Sequence, residues 1–423
     1  MNAVIPPLLL GVVVAWPLLL AFPALYARVP WPRQLATVPA LLLAVLPGEA
    51  SLELSWLLFG TGFAIDGQSR WILATAVAVW LMAAVTAQPA NEGNAGRCTT
   101  PFFMLTLGGN LGAILATDLV GFFSFATVMG YGFYGLLIQG SDEAARRSGR
   151  CYLLFLIVAD LLLFEALLLA AFTAEDLRYE TVGEAMVGAS SMSLYLWLVL
   201  IGFMLKAGVW PLHWWLTAAF CTSPRTTALL LGGVPVAMGL LGLLRWLPLG
   251  EYAAGGSVML IQVMGAGAVL YAVFARGSVK TLPARVAVSV TGLFVVALGS
   301  GLAYPAVWRQ YEFIGYPFIA SLGILLAGLG FTTGRMKGAR YMSTFASRRL
   351  GALQPEVGRW IEIVYQWAGD RFSGLHSLWR VSWLKAVKWR IPDWRNLRTL
   401  VEGWSATITL FVLLGLALAW LAG

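Results

Sequence analysis

Charged side chains are scarce in this sequence. Asp, Glu, Lys and Arg make up 11% of the 423 residues and hydrophobic types 59%, whereas a soluble domain carries about a quarter charged residues. That imbalance, with a mean hydropathy of +0.79, excludes a water-soluble enzyme and implies a polytopic membrane protein. Histidine is limited to His213 and His376, and the three cysteines, Cys98, Cys151 and Cys221, stand far apart with no CxxC spacing. Neither a disulfide framework nor a zinc or iron–sulfur site is implied, and haem ligation has almost nothing to draw on. Glycine clusters such as Gly265-Ala266-Gly267 lie inside an apolar run. Close helix packing explains them, and the strand-turn-helix context of a dinucleotide site is missing. No cofactor or metal is expected, and electron-transfer chemistry would have to reside in partner chains.

What the sequence has in abundance is apolar runs. About 20 apolar residues cross a bilayer core of about 30 Å, and windows of that kind fall near 4–25, 34–47, 70–88, 101–117, 119–139, 151–172, 190–220, 226–248, 255–275, 281–302, 311–331 and 405–422. The expected fold is all-α, with about twelve transmembrane helices. The first run carries Pro6, Pro7, Pro17 and Pro23 and no basic leader, so it is not read as a cleavable signal peptide. Between Ser51 and Asp66 apolar and polar residues alternate, which suits a short extracytoplasmic hairpin ending in the turn-like Asp66-Gly67-Gln68-Ser69.

The formal charge of +8 is concentrated. Arg335 to Glu402 holds thirteen Lys and Arg against five Asp and Glu, with seven tryptophans from Trp360 to Trp404. A basic, Trp-rich segment beside apolar spans marks the cytoplasmic membrane surface and not a nucleic-acid site. Within it Val357, Trp360, Ile361, Val364, Trp367, Phe372, Leu375 and Trp379 recur at helical spacing, predicting an amphipathic helix on that surface, packed along neighbouring spans or on a partner subunit. Loops with Arg28 and Arg33, with Arg146, Arg147 and Arg150, and with Arg276 and Lys280 alternate with loops holding Glu49, Glu53 and Asp66, or Glu175, Asp176, Glu180 and Glu184. Basic loops face the cytoplasm, which puts the N-terminus outside the inner membrane.

An ionisable side chain within a span costs several kcal/mol and by default marks a pathway, a pair or a coupling site. Asp160 and Glu165 lie in the sixth run, Lys206 in the seventh, and His213 follows in Pro211-Leu212-His213-Trp214. Seven residues apart, Lys206 and His213 would share one helical face. Pro211 withdraws a backbone donor between them and predicts a helix break, which membranes tolerate where polar groups or water fill the gap. An unpaired buried ammonium loses its proton, so Lys206 calls for an acid, and either Asp160 or Glu165 could supply it. The plainer readings are a Lys206 that snorkels to the surface beside a solvated Glu165, a His213 held in a structural hydrogen bond, and headgroup anchoring for Arg245, Lys280 and Arg285 near span ends.

The run Gly202-Phe203-Met204-Leu205-Lys206-Ala207-Gly208-Val209-Trp210-Pro211-Leu212-His213-Trp214-Trp215-Leu216, continued by Ser223-Pro224-Arg225-Thr226-Thr227-Ala228 and Gly239-Leu240-Leu241-Gly242, resembles the antiporter-like subunits of respiratory complex I and the multisubunit cation/proton antiporters. Asp66-Gly67-Gln68-Ser69 and Val279-Lys280-Thr281-Leu282 are further matches. Asp160 resembles the sixth-helix aspartate of the NADH dehydrogenase subunit 5 branch, and the C-terminal segment resembles that branch's lateral helix in shortened form. The resemblance implies a proton path at mid-membrane, centred on Lys206 and His213, with Asp160 and Glu165 alongside and Lys280 at the cytoplasmic end. The family's fifth-helix glutamate falls at or near Thr127, and its eighth-helix titratable positions at about Leu231 and Ala237. The second repeat looks shortened.

The expected organisation is residues 1–100 as N-terminal helices with the hairpin, 101–250 as a first five-helix repeat, 251–331 as a shortened second repeat, 332–404 as the basic amphipathic segment and 405–423 as a final helix. The expected function is an antiporter-like, proton-translocating membrane subunit of a multisubunit energy-coupling complex, with other subunits, the lipid bilayer and protons or small ions as partners. Alternatives are a non-conducting assembly subunit, a free-standing secondary transporter, and a subunit of an inorganic-carbon uptake system, which Arg245-Trp246-Leu247-Pro248-Leu249 resembles.

Overall fold

The computed structural model describes residues 7–57, 60–86, 94–138, 143–274 and 281–333, with backbone alone for 94–99. Lys280, the basic segment and the expected final helix lie outside the described residues. Helices α1 (Pro7–Leu20), α2 (Pro23–Tyr26) and α3 (Pro32–Val45) lead into a hairpin of β1 (Ala50–Glu53) and β2 (Gly62–Ile65). The strands pair antiparallel, Ala50 opposite Ile65 and Glu53 opposite Gly62. Then come α4 (Gly67–Thr86), α5 (Asn94–Leu115), α6 (Leu119–Leu137), α7 (Glu143–Thr173), α8 (Tyr179–Val187), α9 (Met192–Ala207), α10 (Trp214–Thr222), α11 (Arg225–Gly233), α12 (Pro235–Trp246), α13 (Ser257–Phe274), α14 (Leu282–Ala303), α15 (Pro305–Tyr311) and α16 (Gly315–Thr333). Among the described residues seven helical stretches are long and apolar enough to cross a membrane, and four shorter apolar helices accompany them. The architecture is that of an all-α polytopic membrane protein.

Burial sorts these helices into inner and outer positions. The stretch Arg225–Trp246, formed by α11 and α12, is 94% buried, against 22% for α13. The α11–α12 stretch is therefore enclosed by its neighbours, whereas α13 turns Met259, Val263 and Phe274 outward. Small residues bring helices together where no aqueous hydrophobic effect drives them. A Cβ on Gly265 would stand 2.7 Å from the Gly292 carbonyl of α14, so the glycine cluster in α13 is a helix contact.

Helix ends are closed by side chains from neighbouring helices. Arg245, on α12, donates to the carbonyls of Ala113 at 3.0 Å, Ile114 at 2.7 Å and Ala116 at 3.3 Å, where α5 ends. Arg285 donates to Ala272 at 2.9 Å and Val273 at 3.4 Å at the end of α13, and Arg70 does the same for Leu43, Leu46 and Gly48 beyond α3. The last carbonyls of a helix lack ladder partners and carry partial negative charge, which a guanidinium satisfies with several donors at once. Arg245 and Arg285 thus serve protein carbonyls, in place of the headgroup anchoring their positions near span ends suggested. The hairpin is held in the same manner. Asp118 caps α6 by accepting from Gly121 N–H at 2.7 Å, and it also accepts from the Thr61 hydroxyl and from Gly62 N–H at 3.2 Å. Asp66-Gly67-Gln68-Ser69 opens α4: Ser69 N–H donates to Asp66 Oδ1 at 2.6 Å and Asp66 N–H to Ser69 Oγ at 3.0 Å, a reciprocal helix cap where the sequence suggested a turn.

Candidate functional site

Lys206 sits in the last turn of α9, and the reason α9 stops there is local. Gly208 adopts φ +65°, a conformation that costs a residue bearing a Cβ but suits glycine. Val209 N–H then donates to Met204 O at 3.0 Å and Gly208 N–H to Leu205 O at 3.3 Å, the paired bonds of a Schellman termination. The indole of Trp215, on α10, donates to Leu205 O at 2.9 Å. A helix end inside the protein is thereby satisfied without solvent, and the partial negative charge of that terminus falls beside the Lys206 ammonium. The break runs from Gly208 to His213 and contains Pro211, so it begins three residues earlier than the proline implied. The Trp210–Pro211 peptide is cis.

Across from this terminus lies Asp160 of α7. Lys206 Nζ and Asp160 Oδ1 are 2.6 Å apart, with the side chains 7% and 11% exposed. Close approach of the two helices is permitted by Gly202, where a Cβ would stand 2.7 Å from Leu163. Beyond their mutual contact, neither the carboxylate oxygens nor Nζ has a hydrogen-bond partner. Beside the pair is a cavity of about 20 Å³ lined by Lys206, Met129, Tyr152, Trp215, Pro235 and Met238 among others, room for about one water. A buried pair with so few supporting bonds gains little net stability, because desolvation of two ions offsets most of their attraction. Such a pair is therefore sensitive to any proton or dipole that reaches it.

The other predicted residues are distributed differently. Glu165, five residues further along α7, is half-buried and forms no ion pair among the described residues, so of the two acids it is Asp160 that meets the lysine. Thr127 is half-buried on α6 with its hydroxyl oxygen lacking a partner, while the cavity wall is formed by its neighbours Ala126 and Met129. His213 does not share a helical face with Lys206. The helix ends between them, so a seven-residue separation no longer returns to the same side, and His213 starts α10 with its ring 2% exposed. Its centroid lies 4.4 Å from that of Tyr271 on α13. Leu231 and Ala237 are 0% and 7% exposed, apolar and enclosed.

A second discontinuity goes unseen in the sequence. Between α11 and α12, Val234 leaves the helical region at φ −120° and ψ −73°, and Pro235 restarts the helix. The dipeptide signal is present in Gly232-Gly233-Val234-Pro235 but is hidden inside one continuous apolar run. Through Gly239, where a Cβ would stand 2.7 Å from the Ala207 backbone nitrogen, α12 lies directly against the terminus that carries Lys206.

The family model described as NADH:quinone oxidoreductase/Mrp antiporter, TM, matches residues 116–349, more than half of the chain. The chain belongs to this family. Among individual relatives, a probable K(+)/H(+) antiporter subunit of Rhizobium meliloti is 26% identical over 315 residues, 73% of this chain and 54% of that one. NADH-quinone oxidoreductase subunit M of Escherichia coli is 26% identical over 284 residues, covering 60% of this chain and 54% of its own. The chain spans about half the length of these curated relatives. In fold it is similar to a chain of respiratory complex I from Thermus thermophilus, with a TM-score of 0.62 at 22% identity over 77% of this chain and 71% of that one. It is also similar to one in the Mrp complex from Dietzia, with a TM-score of 0.55 at 20% identity, covering 78% and 64%. The family match includes α6 to α12, the helices that form the Lys206 site.

Proposed function

We propose that this member of the family is a proton-translocating, antiporter-like subunit of a multisubunit membrane complex, with Lys206 and Asp160 as its charge switch. The observation that carries the reading is the 2.6 Å ion pair, buried at a helix break and touching a cavity with room for about one water. With Asp160 ionised the ammonium is held in place. A proton arriving on the carboxylate removes that attraction and frees the ammonium to turn elsewhere. Proton movement follows from attraction and its loss, with no covalent step and no cofactor. Partners are the other subunits of the complex, a reading supported by the name of the Rhizobium meliloti relative, itself an antiporter subunit, and the resemblance of Asp160 to the sixth-helix aspartate of the subunit 5 branch supports a place near that branch. The orientation supported by the loop charges has the N-terminus outside the inner membrane, with His213 and Glu165 flanking the path, Thr127 at its margin and Lys280 at its cytoplasmic end.

Proton flux into vesicles carrying the intact complex tests this. Lys206→Ala is expected to abolish flux while the complex still assembles, and unchanged flux rejects the switch. A second reading, a non-conducting assembly subunit, is favoured by one observation. Leu231 and Ala237 leave an apolar stretch on α11–α12, about one helix diameter of 10 Å across, with no titratable side chain to carry a proton onward. That reading predicts normal activity in Lys206→Ala and disassembly when residues 335–402 are deleted.

A further inference from the structure

The apolar stretch on α11–α12 leaves the switch without an onward step, because between Arg225 and Arg245 the sequence holds no titratable side chain. A second cavity, of about 10 Å³, borders the same stretch and is lined by Thr75, Asn110, Ala237 and Met238 among others. We infer that protons pass α12 by a water relay from the Lys206 cavity into this second one, with Asn110 of α5 holding the receiving water and the thioethers of Met129 and Met238 forming the gate. The inference rests on the switch reading above and supplies the step that the reading lacks.

The two cavities are joined through shared residues. Met238 lines both. Met129 lines the first, and its sulfur accepts from Asn110 Nδ2 at 3.7 Å, which ties it to the wall of the second. Asn110 is buried, and its Oδ1 accepts from the Trp80 indole at 2.9 Å. That bond uses one of the two lone pairs of the amide oxygen, and no second donor to it is found among the described residues. A thioether is a weak acceptor, so this carboxamide is poorly satisfied for a polar group in an apolar setting. A water beside it would repair both defects. The first cavity has room for about one water, and the second stands at the lower limit for one. Methionine is unbranched and has three rotatable bonds, so a change of rotamer at Met238 merges the two spaces, which a branched side chain at that position could not do as readily. In the relay a proton leaving Nζ bonds to the first water, which gives one of its own to the second. Each bond formed matches one broken, and the Asn110 oxygen accepts a hydrogen bond from the loaded water without titrating.

Hydroxyl-radical footprinting of the intact wild-type complex in lipid nanodiscs reads the waters directly, because a radical formed from a bound water oxidises the sulfur beside it. Met129 and Met238 are expected to gain oxygen several-fold faster than Met104 and Met204, which are also buried but line neither cavity. Equal protection of all four overturns the inference. In vesicles carrying the complex, Asn110→Leu is expected to lower proton flux about tenfold, the kinetic equivalent of one lost hydrogen bond. Asn110→Ser keeps a hydroxyl that can hold a water and is expected to recover most of the flux. Both variants take the acceptor from the Trp80 indole, so a merely structural role for Asn110 impairs them alike. Unchanged flux in Asn110→Leu, or an equal loss in both, overturns the inference. Lys206→Ala in the same vesicles separates the two failures: if it abolishes flux the switch stands without the relay, and if it leaves flux intact the switch itself has failed. Should the Asn110 variants not assemble, the footprint of the wild-type complex decides.

Discussion

Removing Asp160 alone should cost far more than removing both members of its pair. In Asp160→Ala the Lys206 ammonium keeps its place in a pocket where its side chain is 7% exposed and loses the one group that contacts it. An uncompensated charge in such a site costs about 3–5 kcal/mol. Lys206→Met in the wild-type background strands the Asp160 carboxylate instead, 11% exposed, at a similar cost. In the double variant Asp160→Ala/Lys206→Met both ions are gone, a flexible apolar chain of similar reach lies along the cavity, and the loss relative to wild type should be within about 1.5 kcal/mol. With about 3 kcal/mol or more lost in each single variant, the coupling between the two sites is then at least about 4.5 kcal/mol, well beyond the roughly 0.3–0.5 kcal/mol within which independent sites add. Thermal unfolding of the intact complex in lipid nanodiscs, followed for all four variants, reads this directly. Single-variant losses that simply add would show that the two side chains do not act as a buried pair, and the proposed switch would fall with them.

Arg245→Ala should be among the most damaging substitutions at the hairpin end of the bundle, since it takes the guanidinium from the carbonyls of Ala113 and Ile114 and leaves Ala116 O to the Tyr179 hydroxyl alone. A loss of about 3 kcal/mol in the same unfolding assay follows from leaving buried acceptors unmade, and Arg245→Lys should recover only a minor part because an ammonium cannot reproduce the fork. Asp118→Ala removes the cap of α6 and its hold on Thr61 and Gly62. About 1–2 kcal/mol is expected, with faster amide hydrogen exchange confined to the hairpin and the first turn of α6. At the break, Gly208→Ala forces a Cβ into a position with φ +65° and 3.0 Å from Leu216 Cδ2. A cost of about 1–2 kcal/mol is expected, and full retention of stability would show that the α9 terminus rearranges without strain.

Much of the fold is legible in the sequence because the bilayer imposes a simple rule on composition. Runs long enough to span, and charges rare enough to notice, locate most of the helices and single out Asp160, Lys206 and His213. The hairpin is visible in the alternation from Ser51 onward, which the structure repeats as the alternating burial of β1. What cannot be read are relations between helices. Nothing in the spacing of Asp160 and Glu165 says which side of α7 meets α9. The helical phase of Lys206 and His213 is a sound inference for an unbroken helix and lapses because Gly208, a residue with no charge or bulk to draw attention, ends α9 ahead of Pro211. The discontinuity at Val234-Pro235 is concealed by uniform hydrophobicity, because an apolar run reports its length but not its breaks.

Chemistry and period are local properties, so the amino-acid order alone determined that the chain would be helical, membrane-embedded and equipped with one lysine too costly to be buried unpaired. Partnership is not local. That Asp160 and not Glu165 receives Lys206, that arginines near span ends close the termini of other helices, and that α12 lies against the helix end carrying Lys206 were decided by tertiary packing. Those outcomes depend on which glycines let two backbones approach, Gly202 and Gly239 above all, and a glycine's partner is known only once the helices are side by side.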